Sequence, residues 1–355
     1  MFAVILGFLT AFTLTYLALP VIIRIARDKH LYDMPNERSA HREPTPSLGG
    51  IGIYGGVVCA VVLWMPSEQF WALQYVLAAL VIIFFIGVKD DLMPLSPTKK
   101  FMGQVTAALI LVYKANLKIS GLYGILGVYD LPGLFSFVLS IVVIVGIINA
   151  FNLIDGINGL AGSIGLLACI TWGSWFFLVG HLELAVLAAC LAGALTAFLK
   201  FNFTPARIFM GDTGSMLIGL ICSVFAIRFI ELQREIPLGD SYSFNAAPAI
   251  ALGILILPVF DTMRVFARRL WMGRSPFTPD RAHIHHLLLD NGLTHTQATA
   301  VLVGVNVVFI AVAFYWRYLG AGELIAIEFA LAAALTFLLF QRTKLQRRGR
   351  GKWSA

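Results

Sequence analysis

Apolar stretches of bilayer length recur along almost all of this chain. They cover residues 2–23, 48–65, 70–88, 101–115, 134–149, 160–179, 183–199, 213–230, 246–263, 298–316 and 321–340. A helix needs roughly 20 apolar residues to cross the hydrocarbon core, so each stretch is a candidate span, several of them at the short edge. Within that core the backbone must pair its own N–H and C=O groups, and a single apolar run does so as a helix. Of the 355 residues, 59% are apolar and 13% charged, against about 25% charged in a soluble domain. A soluble globule lacks surface of that kind, and a disordered chain needs the opposite composition. The chain reads as all-α, a polytopic integral membrane helix bundle of about 11 transmembrane helices. Its first stretch has no basic leader or small-residue cleavage site, so an uncleaved first span is expected. Cys59, Cys169, Cys190 and Cys222 lie within apolar runs, spaced unlike metal ligands, and read as small buried residues.

Charge supplies the sidedness. Of 26 Lys and Arg, 21 lie in one alternating set of loops, namely 24–47, 88–101, 150–159, 200–212 and 264–297 with the tail 341–355. The positive-inside rule places that set in the cytoplasm and the N-terminus outside, which an odd number such as 11 satisfies. Residues 1–340 then form one transmembrane domain, and 341–355 a basic tail beside anionic lipid. The net charge of +7 is topology and gives no reason to expect nucleic acid.

Ionisable residues at membrane depth are costly and mark candidate sites. On the basic side, Asp90-Asp91 closes the third span. Such a pair suits a base with a raised pKa, a divalent cation shared with phosphates, or a plain solvated helix end. Asn149-Ala-Phe-Asn152-Leu-Ile-Asp155-Gly-Ile-Asn158-Gly joins two spans without a basic residue, and its glycines let backbone N–H groups approach a ligand. Phe209-Met210-Gly211-Asp212-Thr213-Gly214-Ser215 opens a long apolar helix and suits an anion or metal–phosphate at its N-terminus, although Asp or Ser would cap that helix anyway. Asp280-Arg281-Ala282-His283-Ile284-His285-His286 suggests either a metal site or a cationic clamp. Its spacing is not that of a zinc site, which favours contact with phosphate and sugar. The loop around Arg42 ends in Gly49-Gly50, where a close approach to substrate is expected. His30, His181 and His295 read as incidental.

These motifs, DD, NAFNLIDGING, FMGDTGS and DRAHIHHLL in that order, resemble the polyprenyl-phosphate N-acetylhexosamine-1-phosphate transferase family over residues 1–340. The HIHH form resembles the WecA-type and teichoic-acid-linkage branch, which uses UDP-N-acetylglucosamine (UDP-GlcNAc). The resemblance implies a glycosyl-1-phosphate transferase, dependent on Mg²⁺ or Mn²⁺, in a bacterial inner membrane with its site facing the cytoplasm. Undecaprenyl phosphate would attack the UDP-sugar, giving undecaprenyl-diphosphate-GlcNAc and UMP as the first membrane step of a surface polysaccharide. Membrane lipid surrounds such an enzyme, and a homodimer suits the fold. Matched by position, Asp90, Asp91 and Asp212 are implied as catalytic, with Asp212 and Asp91 at the metal. Arg42, Asn152, Asp155, Asn158, Phe209, Arg281, His283, His285 and His286 are implied to bind nucleotide and sugar.

Two departures from the family pattern stand out. Asn158 replaces the second acid of DGxDG, and a DDxxD form is absent because Leu92-Met93-Pro94 follows the pair. The rivals are another UDP-N-acetylhexosamine or UDP-MurNAc-pentapeptide as donor, and, in a different class, a transporter or flippase. A transporter would carry its charges at mid-span in related halves. Here they gather at helix ends, and no repeat is visible.

Overall fold

The structure, a computed structural model, describes residues 1–32, 45–66, 70–237, 239–275 and 282–351. Its elements follow the apolar stretches: α1 (Phe2–Asp28), α2 (Gly49–Trp64), α3 (Phe70–Leu92) and α4 (Pro97–Leu109), the last continued by a π-helical turn Ile110–Lys114. A short antiparallel hairpin, β1 (Gly121–Ile125) and β2 (Val128–Asp130), precedes α5 (Gly133–Ile154), α6 (Leu160–Leu178), α7 (Leu182–Asn202) and α8 (Gly211–Leu232). Then come α9 (Ala247–Ile254), α10 (Ile256–Trp271), α11 (Ile284–Asp290), α12 (His295–Tyr315) and α13 (Ala321–Gly351). Among the described residues eight helices are long and apolar enough to cross a membrane, nine if α9 and α10 count as one. The protein is an all-α, multi-pass membrane protein.

The bundle is built around α7 and α8, whose spans are 83% and 89% buried, against 22% for α1 and α13 at the periphery. Helices α1 and α6 pack on α7, and α3 and α5 on α8. Glycines bring α2 and α3 onto the first turn of α8: a side chain on Gly50 would strike the Gly214 backbone, and one on Gly87 the Thr213 backbone. At the other end of α8, Glu231 accepts hydrogen bonds from Ser120 N (2.8 Å) and Ser120 Oγ (2.5 Å), which ties down the hairpin.

The stretch expected as one span at 246–263 is bent by 86° between α9 and α10. Pro258 is the cause, because its missing N–H would have paired with the Ile254 carbonyl one turn back. Asn306 of α12, fully buried, takes up the groups the break exposes. Its Nδ2 donates to Ile254 O at 3.0 Å and its Oδ1 accepts from Leu257 N at 3.4 Å. The bend aims the start of α10 at α11, at the end of the bundle where α8 begins.

Candidate active site

A cavity of about 560 Å³ opens at this end, within the range that holds a drug-sized ligand. Its lining includes Tyr32, Ser47, Asp90, Asp91, Asn152, Asp155, Asn158, Phe209, Asp212, His286 and His295. One wall is the start of α8. Gly211 has φ +71°, and a side chain there would meet Ser47 O and the Asp91 carboxylate, so the position needs glycine twice over. Asp91 reaches across from α3 and accepts hydrogen bonds from Asp212 N (2.7 Å), Thr213 N (3.1 Å) and Thr213 Oγ1 (2.6 Å). It is a helix cap supplied by another helix, and it meets the positive end of the α8 dipole. The protein's own Asp91 carboxyl occupies this N-terminus, where the Gly-flanked motif suggested a bound anion or metal–phosphate. The segment before α2 runs beside Phe209, with Phe209 N donating to Pro46 O (2.7 Å) and Gly49 N to Phe209 O (2.9 Å). Gly49 and Gly50 therefore serve chain-to-chain packing at the place where substrate approach was expected.

Beside this cap, oxygens from three helices surround one ammonium. Lys100 of α4 contacts Asp212 Oδ2 directly, lies 3.2 Å from Asn152 Oδ1 and 3.4 Å from Asp90 Oδ2. Asn152 also donates to Asp212 Oδ1 (2.7 Å) and Ser215 Oγ (3.0 Å). Leu95 N donates to Asp90 Oδ1 at 2.5 Å, which fixes that carboxylate by the turn after α3. Adjacent residues on a helix point about 100° apart. Asp90 therefore faces Lys100 while Asp91 faces α8.

The loop after α5 forms the next wall. Burial raises the Asp155 carboxyl well above the usual carboxylate range, and the negative charges of Asp212 and Asp91 add to the effect. Asn158 is held in place: Nδ2 donates to Thr204 Oγ1 (3.1 Å), its carbonyl accepts from Thr299 Oγ1 (2.8 Å), and its N–H faces His295 Nδ1 at 3.5 Å. The three histidines of the HIHH run have different surroundings. His286 lines the cavity. His283 is buried with Nδ1 on Asp261 Oδ2 (2.9 Å). His285 is buried behind Gly156, and burial, reinforced by His286, pushes its pKa down to about 3.

This geometry can be set beside known proteins. The profile of glycosyl transferase family 4 matches residues 73–230. The decaprenyl-phosphate N-acetylglucosaminephosphotransferase of Mycolicibacterium smegmatis is 33% identical over 320 residues, covering 83% of this chain and 77% of its own. The undecaprenyl-phosphate alpha-N-acetylglucosaminyl 1-phosphate transferase of Pasteurella multocida is 35% identical over 300 residues, covering 82% and 81%. Its namesake from Escherichia coli O157:H7 is 30% identical over 302 residues, covering 83% and 78%. The chain belongs to glycosyl transferase family 4. It is a transferase, and the matched segment runs from α3 to α8, which carries Asp90, Asp91, Lys100, Asn152, Asp155 and Asp212.

Within this family 4 transferase the cavity gathers Asp90, Asp91, Asn152, Asp155, Asn158, Phe209, Asp212 and His286 from four separate sequence motifs. His283 and His285 stand behind it, and Arg42 and Arg281 lie outside the described residues. Three groups at the site go beyond the sequence expectation. Lys100 had been counted with the topology charges. Its available signal was the pair Lys99-Lys100 just after Pro97, a residue that favours the first position of a helix. His295, read as incidental, lines the cavity because a Thr294–Gln297 capping box starts α12 there. Tyr32 lines it from the end of α1.

Proposed function

We propose that this transferase moves N-acetylglucosamine-1-phosphate from UDP-GlcNAc to undecaprenyl phosphate. An oxygen of the lipid phosphate attacks the β-phosphorus, the bond to the α-phosphate breaks, and UMP leaves with that electron pair. The observation that carries the reading is that Asp90, Asn152 and Asp212 line one cavity at the end of an apolar bundle and all three contact the Lys100 ammonium. Phosphoryl transfer asks a protein chiefly for positioning and charge neutralisation, and this cluster offers both. The names of the relatives support the donor sugar and the polyprenyl acceptor.

A divalent cation, Mg²⁺ or Mn²⁺, fits this point. The donors are all oxygen, and the Lys100 ammonium already occupies a place where three of them converge. Among the described residues no three His, Cys, Asp or Glu side chains form a ready ligand set, and Mg²⁺ commonly takes one or two carboxylates and completes its shell from substrate phosphates and water. Asp212 and Asp90 would hold the ion, and Asp91, first assigned to it, is committed to capping α8. Bound there, the ion would neutralise charge on the diphosphate. Lys100 exchanges carboxylate partners for phosphate oxygens, Asp90 positions or deprotonates the lipid phosphate, and Asn152 orients Asp212. Phe209 and Asn158 face the uridine, and Asp155 stands beside them, while His286 faces the sugar. Arg42 and Arg281 add positive charge from the first and the last large loop.

Eleven crossings, with the N-terminus outside and the site in the bacterial cytoplasm, follow if the 16-residue α2, the α4 helix with its π-helical turn and the bent α9–α10 pair each count as one. The catalytic unit is residues 1–340, with 341–355 as the tail. The deciding assay uses purified protein, undecaprenyl phosphate, Mg²⁺ and a panel of UDP-sugars, scored by UMP release. UDP-GlcNAc is expected to lead the panel. Release of no UMP from any sugar would overturn the proposal.

A further inference from the structure

Asp261 lies on α10 just past the 86° break and is 1% exposed. It does not line the cavity, yet its carboxylate holds the segment that does. His283 Nδ1 meets Asp261 Oδ2 at 2.9 Å, and Ile284 N donates to both oxygens at 3.2 Å. Arg264, one turn further along α10, donates to Asp261 Oδ1 at 2.6 Å and to Ala282 O at 2.6 Å. The pair thus brackets residues 282–284 from side chain and backbone together. Charge-assisted bonds of this kind are about twice as strong as neutral ones. Breaking a buried pair by removing one partner leaves the other charge uncompensated. The hold passes forward through packed rings. The His283 and His285 rings are nearly parallel, 8° apart with centroids at 5.7 Å, and the His285 and His286 rings follow at 4.3 Å. Of the three, His286 reaches the cavity.

We propose that Asp261 is a positioning residue for the donor sugar. Acting through His283 and the first turn of α11, it fixes where His286 stands in the cavity and touches no substrate itself. His283 is then a strut between Asp261 and the loop, which accounts for two of the three histidines facing protein. Asn306 belongs to the same device one step back, since it sets the bend that points Asp261 at α11. The inference rests on the cavity being the UDP-sugar site, and it assigns the sugar end to the α10–α11 side.

The test compares wild type with Asp261→Ala, Asp261→Asn, His286→Ala and the double variant Asp261→Ala/His286→Ala, each purified as the full chain. Asp261→Ala is expected to raise the KM for UDP-GlcNAc by roughly tenfold or more, the scale of a binding group displaced by a fraction of an ångström. The KM for undecaprenyl phosphate is expected to stay within about twofold, and Asp261→Asn, which keeps one acceptor, to recover part of the loss. In the double variant the donor KM should be no worse than in His286→Ala alone, since both changes remove one effect. An unchanged donor KM, or effects that multiply, would overturn the proposal. Should Asp261→Ala fail to fold, Asp261→Asn carries the same comparison. Carbethoxylation of histidines by diethyl pyrocarbonate, read by mass spectrometry, needs no turnover: His283 should be protected in wild type and labelled in the Asp261 variants. If wild type releases UMP from no sugar, the proposed reaction fails and this labelling alone decides the role of Asp261. Equal protection in all variants would end it.

Discussion

At the scale of single residues, the site is defined by two neighbouring carboxylates that do different work. Asp90 faces the Lys100 ammonium, and Asp91 caps α8. Lys100→Met removes the cation shared by three oxygens, and turnover is expected to fall by more than ~100-fold in the UMP assay. Asp91→Asn replaces one of the two cap oxygens by an amide nitrogen that cannot accept from the α8 donors, so it should cost about 1–2 kcal/mol of stability, seen as a lower melting temperature. The Mg²⁺ concentration for half-maximal activity should stay where it was. A marked shift in that concentration would return Asp91 to the metal. His285 supplies the pH dependence. Its folded pKa of about 3 lies below the ordinary value of 6.5, so the fold holds it neutral. That contribution is fully present above about pH 6.5 and is lost as pH falls toward about 3. His285→Gln should therefore lose less stability than wild type on acidification from about pH 7 to about pH 5, by about 2 kcal/mol. Denaturation followed at both pH values checks it.

At the scale of elements, the broken α9–α10 segment depends on one amide. Asn306→Leu deprives Ile254 O and Leu257 N of their partner. Interhelical hydrogen bonds in membranes are worth about 0.6–1.7 kcal/mol each, so a loss of about 1–2 kcal/mol is expected in thermal unfolding. Donor KM should rise with it, because α10 carries Asp261. The helices themselves were legible in the sequence because the bilayer forces every apolar run into one form, and the carboxylates were legible because acids are costly there. Several features were not. A hydropathy run has no direction, so the bend within 246–263 did not show, although Pro258 was in plain view. Lys100 looked like any other basic residue of its loop, since its partners Asn152 and Asp212 are 52 and 112 positions away. The HIHH run looked like one cluster, and only the packing of Asp261 and Gly156 against it separates the histidine that lines the cavity from the two behind it.

At the scale of the whole molecule, the hairpin offers a handle on the proposed orientation. Leu126, at the hairpin tip, is 95% exposed, and the proposed topology puts it outside the cell. In a background lacking the four native cysteines, Leu126→Cys should react with a membrane-impermeant maleimide on intact cells, and Ser354→Cys only after the inner membrane is opened. The reverse pattern would invert the assignment. The bend in α9–α10 carries a further meaning for the surrounding bilayer. Helix α9 has 8 residues, about 12 Å of rise, against a hydrocarbon slab of about 30 Å. Protein and water must fill the rest of that thickness. A barrier thinned beside α9 would let a charged lipid headgroup sink to meet a nucleotide without its isoprenoid tail leaving the oil.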